Sequence, residues 1–215
     1  MEKTLRMTLP VKSQILKRKI EDGTEVEDMI VEGYAFKFNK ETLLYESRSG
    51  MKFYEVIERG AADNADMTDV PMKYNHDDSV FIVARTRNKS LQLNVDDIGL
   101  KFQARFIDTQ TGRDLFKMIQ EGLIDKMSFA FTTDSDGVIE EYADTYVRSR
   151  ITKFKRIWDI SAVDIPAYDD TEIYARSFAD LEKRAEQALD SAKRVKYKRQ
   201  RLSLQTKIFL EEQTL

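Results

Sequence analysis

Lys126-Met127-Ser128-Phe129-Ala130-Phe131-Thr132-Thr133 alternates bulky apolar and small residues, and its period of two marks a strand rather than a helix. Successive side chains of a strand point to opposite faces. Met127, Phe129 and Phe131 are therefore expected to face a core, with Ser128, Ala130 and Thr132 on the other side. The same pattern recurs outward in both directions. Met29–Phe38 reads as a strand with Gly33 as a candidate bulge, and Phe53–Glu58 reads as another. Gly60–Asn64 is expected to be a turn or short helix. Val80–Thr86 reads as another, apolar strand. Ser90–Val95 and Leu100–Phe106 alternate on either side of the turn residues Asp96-Asp97-Ile98-Gly99, which predicts a hairpin. Further strands are expected at about Tyr142–Asp159 and at Ile160–Ile165.

One helix interrupts. Thr111 is the expected cap of Gly112–Glu121, Asp114 stands at capping-box spacing, and Gly122 is a C-terminal stop. Leu115, Met118 and Ile119 form its apolar stripe. At least seven short strands and one helix make the chain mainly β, a sandwich or a closed barrel.

The flanks differ in character. Residues 1–28 are mixed and charged, with a turn at Glu21-Asp22-Gly23-Thr24, and read as an N-terminal extension. After Ser177, Phe178, Leu181, Ala185, Ala188, Ala192 and Val195 recur at three- and four-residue steps among charges. That predicts a long helix with a thin apolar seam. Its far half is basic (Lys193, Arg194, Lys196, Lys198, Arg199, Arg201). It reads as a solvated face or as a contact surface for an assembly partner. The expected division is 1–28, 29–177 and 178–215.

Composition narrows the function. A hydrophobic share of 41% supports a core, and a charged share of 34% exceeds the usual quarter. The net charge of −3 gives no reason to expect nucleic acid or an anionic membrane as partner. No cysteine is present, so disulfides and cysteine zinc sites are excluded. The first residues lack the apolar core of a signal peptide, and no stretch approaches the roughly 18–20 apolar residues of a membrane span. The expectation is a soluble intracellular protein.

The chain holds one histidine, His76, in Lys73-Tyr74-Asn75-His76-Asp77-Asp78. Histidine is the side chain whose ordinary titration falls near neutral pH, so a general base in this chain would be His76. Without a thiol, a nucleophile would be a hydroxyl. Ser128, on a rigid strand with small neighbours, is the candidate. An ordinary strand serine and a surface histidine are the plain alternatives. A serine–histidine pair needs a third group to hold the ring. Asp77 and Asp78 are adjacent to His76, but neighbouring residues of an extended chain point apart. Asp159 in Arg156-Ile157-Trp158-Asp159-Ile160-Ser161 is a carboxylate in apolar company, which requires a reason. Asp164 is the second choice, and a salt bridge is the plain reading of either. A zinc site needs three or four ligands, mostly His and Cys. No metal or cofactor is expected, although Asp77, Asp78, Asp96 and Asp97 leave an all-carboxylate site open. Gly-x-Ser-x-Gly, P-loop, Gly-x-Gly-x-x-Gly and His-Glu-x-x-His motifs are absent.

These residues resemble a family. Gly33-Tyr34-Ala35, Phe53-Tyr54-Glu55-Val56-Ile57-Glu58-Arg59-Gly60-Ala61, Tyr74-Asn75-His76-Asp77, Leu123–Phe131 and Asp159–Tyr168 follow, in order, the pattern of the caudovirus prohead proteases, across about residues 29–176. The resemblance implies a fold similar to the herpesvirus assembly protease: a closed β-barrel of about seven strands surrounded by helices, here with a C-terminal helical extension. It implies a serine endopeptidase with His76 as general base and Ser128 as nucleophile. The substrates would be the scaffold, the amino-terminal extension of the major capsid protein, and the enzyme itself. The place would be the assembling procapsid in the host cytoplasm, or the cytoplasm of a bacterium carrying a prophage. Self-association is compatible with that role. This chain has Ala130 where the family often has glycine, and Asp159 where it often has glutamate, which leaves the third residue open. Two other readings remain: a non-enzymatic capsid assembly or scaffold protein on the same fold, and a metal-dependent hydrolase using the acidic residues around His76.

Overall fold

Along Gly99–Phe106, Leu100, Phe102, Ala104 and Phe106 are buried while Lys101 and Gln103 face solvent, so the alternation read in the sequence survives in the fold. A computed structural model describes residues 4–19, 25–47, 49–79, 82–164, 183, 187, 189–191 and 194. Thirteen strands and one helix are defined there. In chain order they are β1 (Thr4–Pro10), β2 (Lys12–Lys19), β3 (Glu25–Lys37), β4 (Thr42–Glu46), β5 (Lys52–Ile57), β6 (Pro71–Tyr74), β7 (Ala84–Arg85), β8 (Leu91–Val95), β9 (Gly99–Phe106), α1 (Gln110–Gln120), β10 (Lys126–Thr132), β11 (Val138–Tyr142), β12 (Tyr146–Ile151) and β13 (Arg156–Val163). No helix among the described residues is long and apolar enough to cross a membrane.

The strands form three sheets, ordered β1-β10-β13-β6-β7, β2-β3-β9-β8 and β11-β12-β5-β4. The fold is mainly β. Hydrogen-bonded ladders among the described residues do not run round in one closed barrel; the three sheets have separate edges. The first and second sheets touch along β1 and β3 and again along β7 with β8 and β9. The main apolar core includes Phe36, Met72, Phe102, Leu115, Phe129, Phe131, Phe154 and Ile160. Ring centroids of Phe36 and Phe129 lie 4.8 Å apart, as do those of Phe131 and Phe154. Such aromatic pairs add about 0.5–1.5 kcal/mol beyond burial.

Several expectations shift. Residues 4–19, read as an extension, supply β1 and β2, which pair with β10 and β3. The irregularity in β3 falls between Tyr34 and Phe36, while Gly33 pairs regularly with Phe102. The apolar run near residue 80 yields only Ala84–Arg85; Val80 and Phe81 lie outside the described residues. The strand expected over 142–159 is two strands in different sheets. Between them the Phe154 N–H bonds Ala61 O at 2.8 Å, and its ring is fully buried in the core while Lys153 and Lys155 beside it are exposed. The helix expected at 178–215 lies mostly outside the described residues; Lys183, Gln187, Leu189, Asp190, Ser191 and Arg194 are helical.

Helix α1 is capped by Thr109, not Thr111. The Thr109 side chain accepts the Gly112 N–H at 3.1 Å; with the cap at Thr109 the capping-box position falls on Gly112, which has no side chain, so no capping box forms, and Asp114 accepts from Gln110. A Cβ on Gly112 would stand 2.2 Å from Ile107 O, which requires glycine in that first turn. Gly122 stops the helix as expected, at φ 73°, with Gly122 N–H on Ile119 O and Leu123 N–H on Met118 O. Leu115, Phe116 and Ile119 are buried against the sheets.

Candidate active site

Three adjacent strands of the first sheet converge on one spot. β13 lies between β10 and β6, antiparallel to the first and parallel to the second. β10 carries Ser128, and its core-facing partners Met127, Phe129 and Phe131 are at most 2% exposed. The other face is covered too: Ser128 is 3% exposed, because the turn following β6 folds over it. β13 carries Asp159, paired at the backbone with Ala130, and Ser161, paired with Ser128. β6 ends at Tyr74, and the chain then reverses through Asn75 and His76.

That reversal is a tight turn with Asp77 N–H on Tyr74 O at 3.0 Å. Asn75 and His76 have φ of 50° and 56°, the left-handed pair of a type I′ turn. Asn75 is clasped to the end of β13: its amide nitrogen donates to Asp164 Oδ1 at 2.8 Å and its oxygen accepts the Asp164 N–H at 3.2 Å.

The turn aims the imidazole at both strands. His76 Nε2 is 2.7 Å from Ser128 Oγ, and His76 Nδ1 is 2.5 Å from Asp159 Oδ1. The carboxylate is an acceptor, so Nδ1 carries the proton and Nε2 is left to accept from the serine hydroxyl. Asp159 is fully buried, and the ring is 11% exposed. Asp164, the alternative third residue, faces elsewhere. It accepts from the Tyr74 hydroxyl at 2.6 Å, and that bond raises the Tyr74 pKa.

The other acidic candidates have separate partners. Asp77 accepts from the Ser79 hydroxyl and amide, which hold its carboxyl below the usual range. Asp78 pairs with Lys73. Asp96 accepts from Tyr34 and Asp97 from Arg59. Among the described residues no group of three or more His, Asp or Glu is placed to hold a metal ion.

Two residues that the sequence reading did not single out belong to this cluster. Lys73, 8% exposed on β6, bonds Asp78 and lies 4.0 Å from Asp159 Oδ2. Ser161 touches both His76 and Asp159. The period of two could have found Ser161, since it is two residues beyond Asp159 on the same strand face.

A family model, the caudovirus prohead serine protease, matches residues 14–184. The chain belongs to this family. No curated protein matches it. Among solved structures the prohead protease is similar to the bacteriophage T4 capsid assembly protease, gp21, at 11% identity and a TM-score of 0.41, over 74% of this chain and 98% of that one. A prohead serine protease cuts peptide bonds through a serine hydroxyl. In this one a buried serine, an imidazole and a buried carboxylate stand in a continuous hydrogen-bonded line.

Proposed function

We propose that Ser128, His76 and Asp159 are the nucleophile, the general base and the orienting carboxylate of this prohead protease. The observation that carries the reading is the 2.7 Å contact of His76 Nε2 with Ser128 Oγ, made on a ring whose other nitrogen is held by a buried carboxylate. Ser128 Oγ attacks a peptide carbonyl while His76 Nε2 takes the hydroxyl proton. Asp159 stabilises the imidazolium that forms and stays ionised. His76 then gives the proton to the departing amine nitrogen, leaving an acyl ester on Ser128. Water, deprotonated by the same imidazole, hydrolyses that ester and restores both groups.

The substrates are the scaffold segment or amino-terminal extension of the capsid protein, and the protease chain itself, cut inside the assembling procapsid in the host cytoplasm. The charged segment 178–215 is a detachable tether, separate from the chemistry. We read the first and second sheets as an open form of the herpesvirus-protease barrel; the contacts of β1 with β3 and of β7 with β8 and β9 support this.

Mass spectrometry of the chain coexpressed with its candidate capsid protein tests the reading. Wild type should shorten itself and the capsid protein. Ser128→Ala should leave both at full length, and Asp159→Ala should impair cutting far more than Asp164→Ala. Undiminished cleavage by Ser128→Ala would falsify the nucleophile.

A further inference from the structure

Ser161 is fully buried on β13, paired across the sheet with Ser128 on one side and Lys73 on the other. None of the catalytic roles above uses it, yet its hydroxyl meets three atoms of the site. It accepts the His76 backbone N–H at 3.2 Å, donates to Asp159 Oδ1 at 3.2 Å, and lies 3.3 Å from His76 Nδ1. A serine hydroxyl has one proton and two lone pairs. The proton goes to the carboxylate and one lone pair to the amide. The second faces the Nδ1–H, whose nearer acceptor is Asp159 Oδ1.

The amide bond falls where the backbone most needs it. His76 sits in left-handed backbone, directly after a second left-handed residue, Asn75. Side chains with a Cβ disfavour that conformation, and it persists where the surroundings hold it. Ser161 holds it from a central strand. The same strand, two residues earlier on the same face, supplies Asp159.

We infer that Ser161 is a positioning residue of the protease: it fixes the His76 turn through the backbone amide and sets how Asp159 Oδ1 faces the ring. The inference rests on the proposed roles of Ser128, His76 and Asp159. The charged groups facing this cluster are Lys73 from β6, Asp78 from the turn beyond it and Asp159 from β13. Removing the Ser161 hydroxyl takes a donor from Asp159 Oδ1, so the carboxylate holds the imidazolium form of the ring more strongly. It also frees the His76 amide, so the turn holds Nε2 less closely against Ser128 Oγ while Nδ1 keeps Asp159.

The test compares wild type, Ser161→Ala and the near-isosteric Ser161→Cys on a peptide that the wild type cuts. Ser161→Ala should lower kcat by about 10–100-fold, with KM within about twofold. The acid limb of its rate–pH profile should move to higher pH. Nitrogen-15 NMR of the ring, run on Ser128→Ala chains to keep them whole, reads the one histidine without ambiguity. At a given pH the ring nitrogen signals should move toward those of the imidazolium when Ser161 is replaced. If Ser161→Ala does not fold, Ser161→Cys decides, with a smaller loss in the same direction. Wild-type kcat, or a loss with an unmoved acid limb and unchanged ring signals, overturns the inference. Activity surviving in Ser128→Ala would instead overturn the triad itself, so the two failures are distinguishable.

Discussion

The Lys73 ammonium stands 4.0 Å from Asp159 Oδ2, the carboxylate oxygen that His76 does not use. Both side chains are at least nine-tenths buried. The other partner of Lys73, Asp78, is 85% exposed. One cation thus joins a dry carboxylate to a wet one. Taking away a buried partner leaves a charge without compensation, whereas an exposed ion pair is screened by water and salt.

Lys73→Met and Asp78→Ala should therefore behave differently, although each breaks the same bond. Asp159 would keep His76 and Ser161 but lose its cation. Lys73→Met should lower the unfolding free energy by about 1–3 kcal/mol, and Asp78→Ala by less than about 1 kcal/mol. Urea denaturation of both variants in a Ser128→Ala chain measures this. Equal losses would mean that Lys73 acts through Asp78 alone.

What the sequence could reveal depended on how local the signal was. The two faces of β10, the β8–β9 hairpin and the Gly122 stop all follow from side-chain periodicity or from one residue's backbone freedom, and each was legible. Strand neighbours are not local. Nothing in the periodicity says that β13 lies between β10 and β6, so the sequence leaves Asp159 and Asp164 as alternatives; in the fold it is the Asp159 carboxylate that meets His76 Nδ1. The break between β12 and β13 carries no Gly or Pro, hence no turn signal; it is set by Phe154 entering the core. β1 and β2 were missed for another reason. Each is an edge strand of its sheet, where Pro10 and the basic Lys17-Arg18-Lys19 are tolerated; the period-two alternation of Leu5, Met7 and Leu9 is there, but it is brief and set among charges. The cap moved by two residues because threonine stands at both 109 and 111, and only Thr109 has the extended backbone of a cap, at ψ 165°.

Acid should weaken the fold through Asp69. Its carboxylate accepts from Arg85 Nε at 2.5 Å and Nη2 at 2.8 Å, and this two-point bond, aided by the charges of Arg85 and Arg87, holds its pKa below the usual value. A carboxylate depressed in the folded state stabilises the fold above its unfolded pKa. That contribution is lost as pH falls through the folded pKa. Asp69→Asn should therefore melt below the parent at pH 7, and the gap should close as the pH drops beneath the ordinary carboxylate range. Thermal melts across that range check the sign. A gap that widens in acid would show that Asp69 is not the stabilising, ionised partner of Arg85.

Asn75 offers a test of the turn that carries the imidazole. It combines a left-handed backbone at φ 50° with two hydrogen bonds to Asp164. Asn75→Gly keeps the backbone freedom and loses both bonds, each worth about 0.5–1.5 kcal/mol. Asn75→Ala loses the same bonds and adds a left-handed Cβ, a further penalty of about 1–2 kcal/mol, which outweighs the roughly 0.5–1 kcal/mol of chain entropy that glycine forfeits. Stability should therefore fall from wild type to Asn75→Gly to Asn75→Ala. Peptidase activity should follow the same order, because the turn sets the His76 Nε2 to Ser128 Oγ contact. Alanine matching or surpassing glycine in both measurements would mean that the turn does not need its left-handed residue, and that His76 is placed by β13 alone.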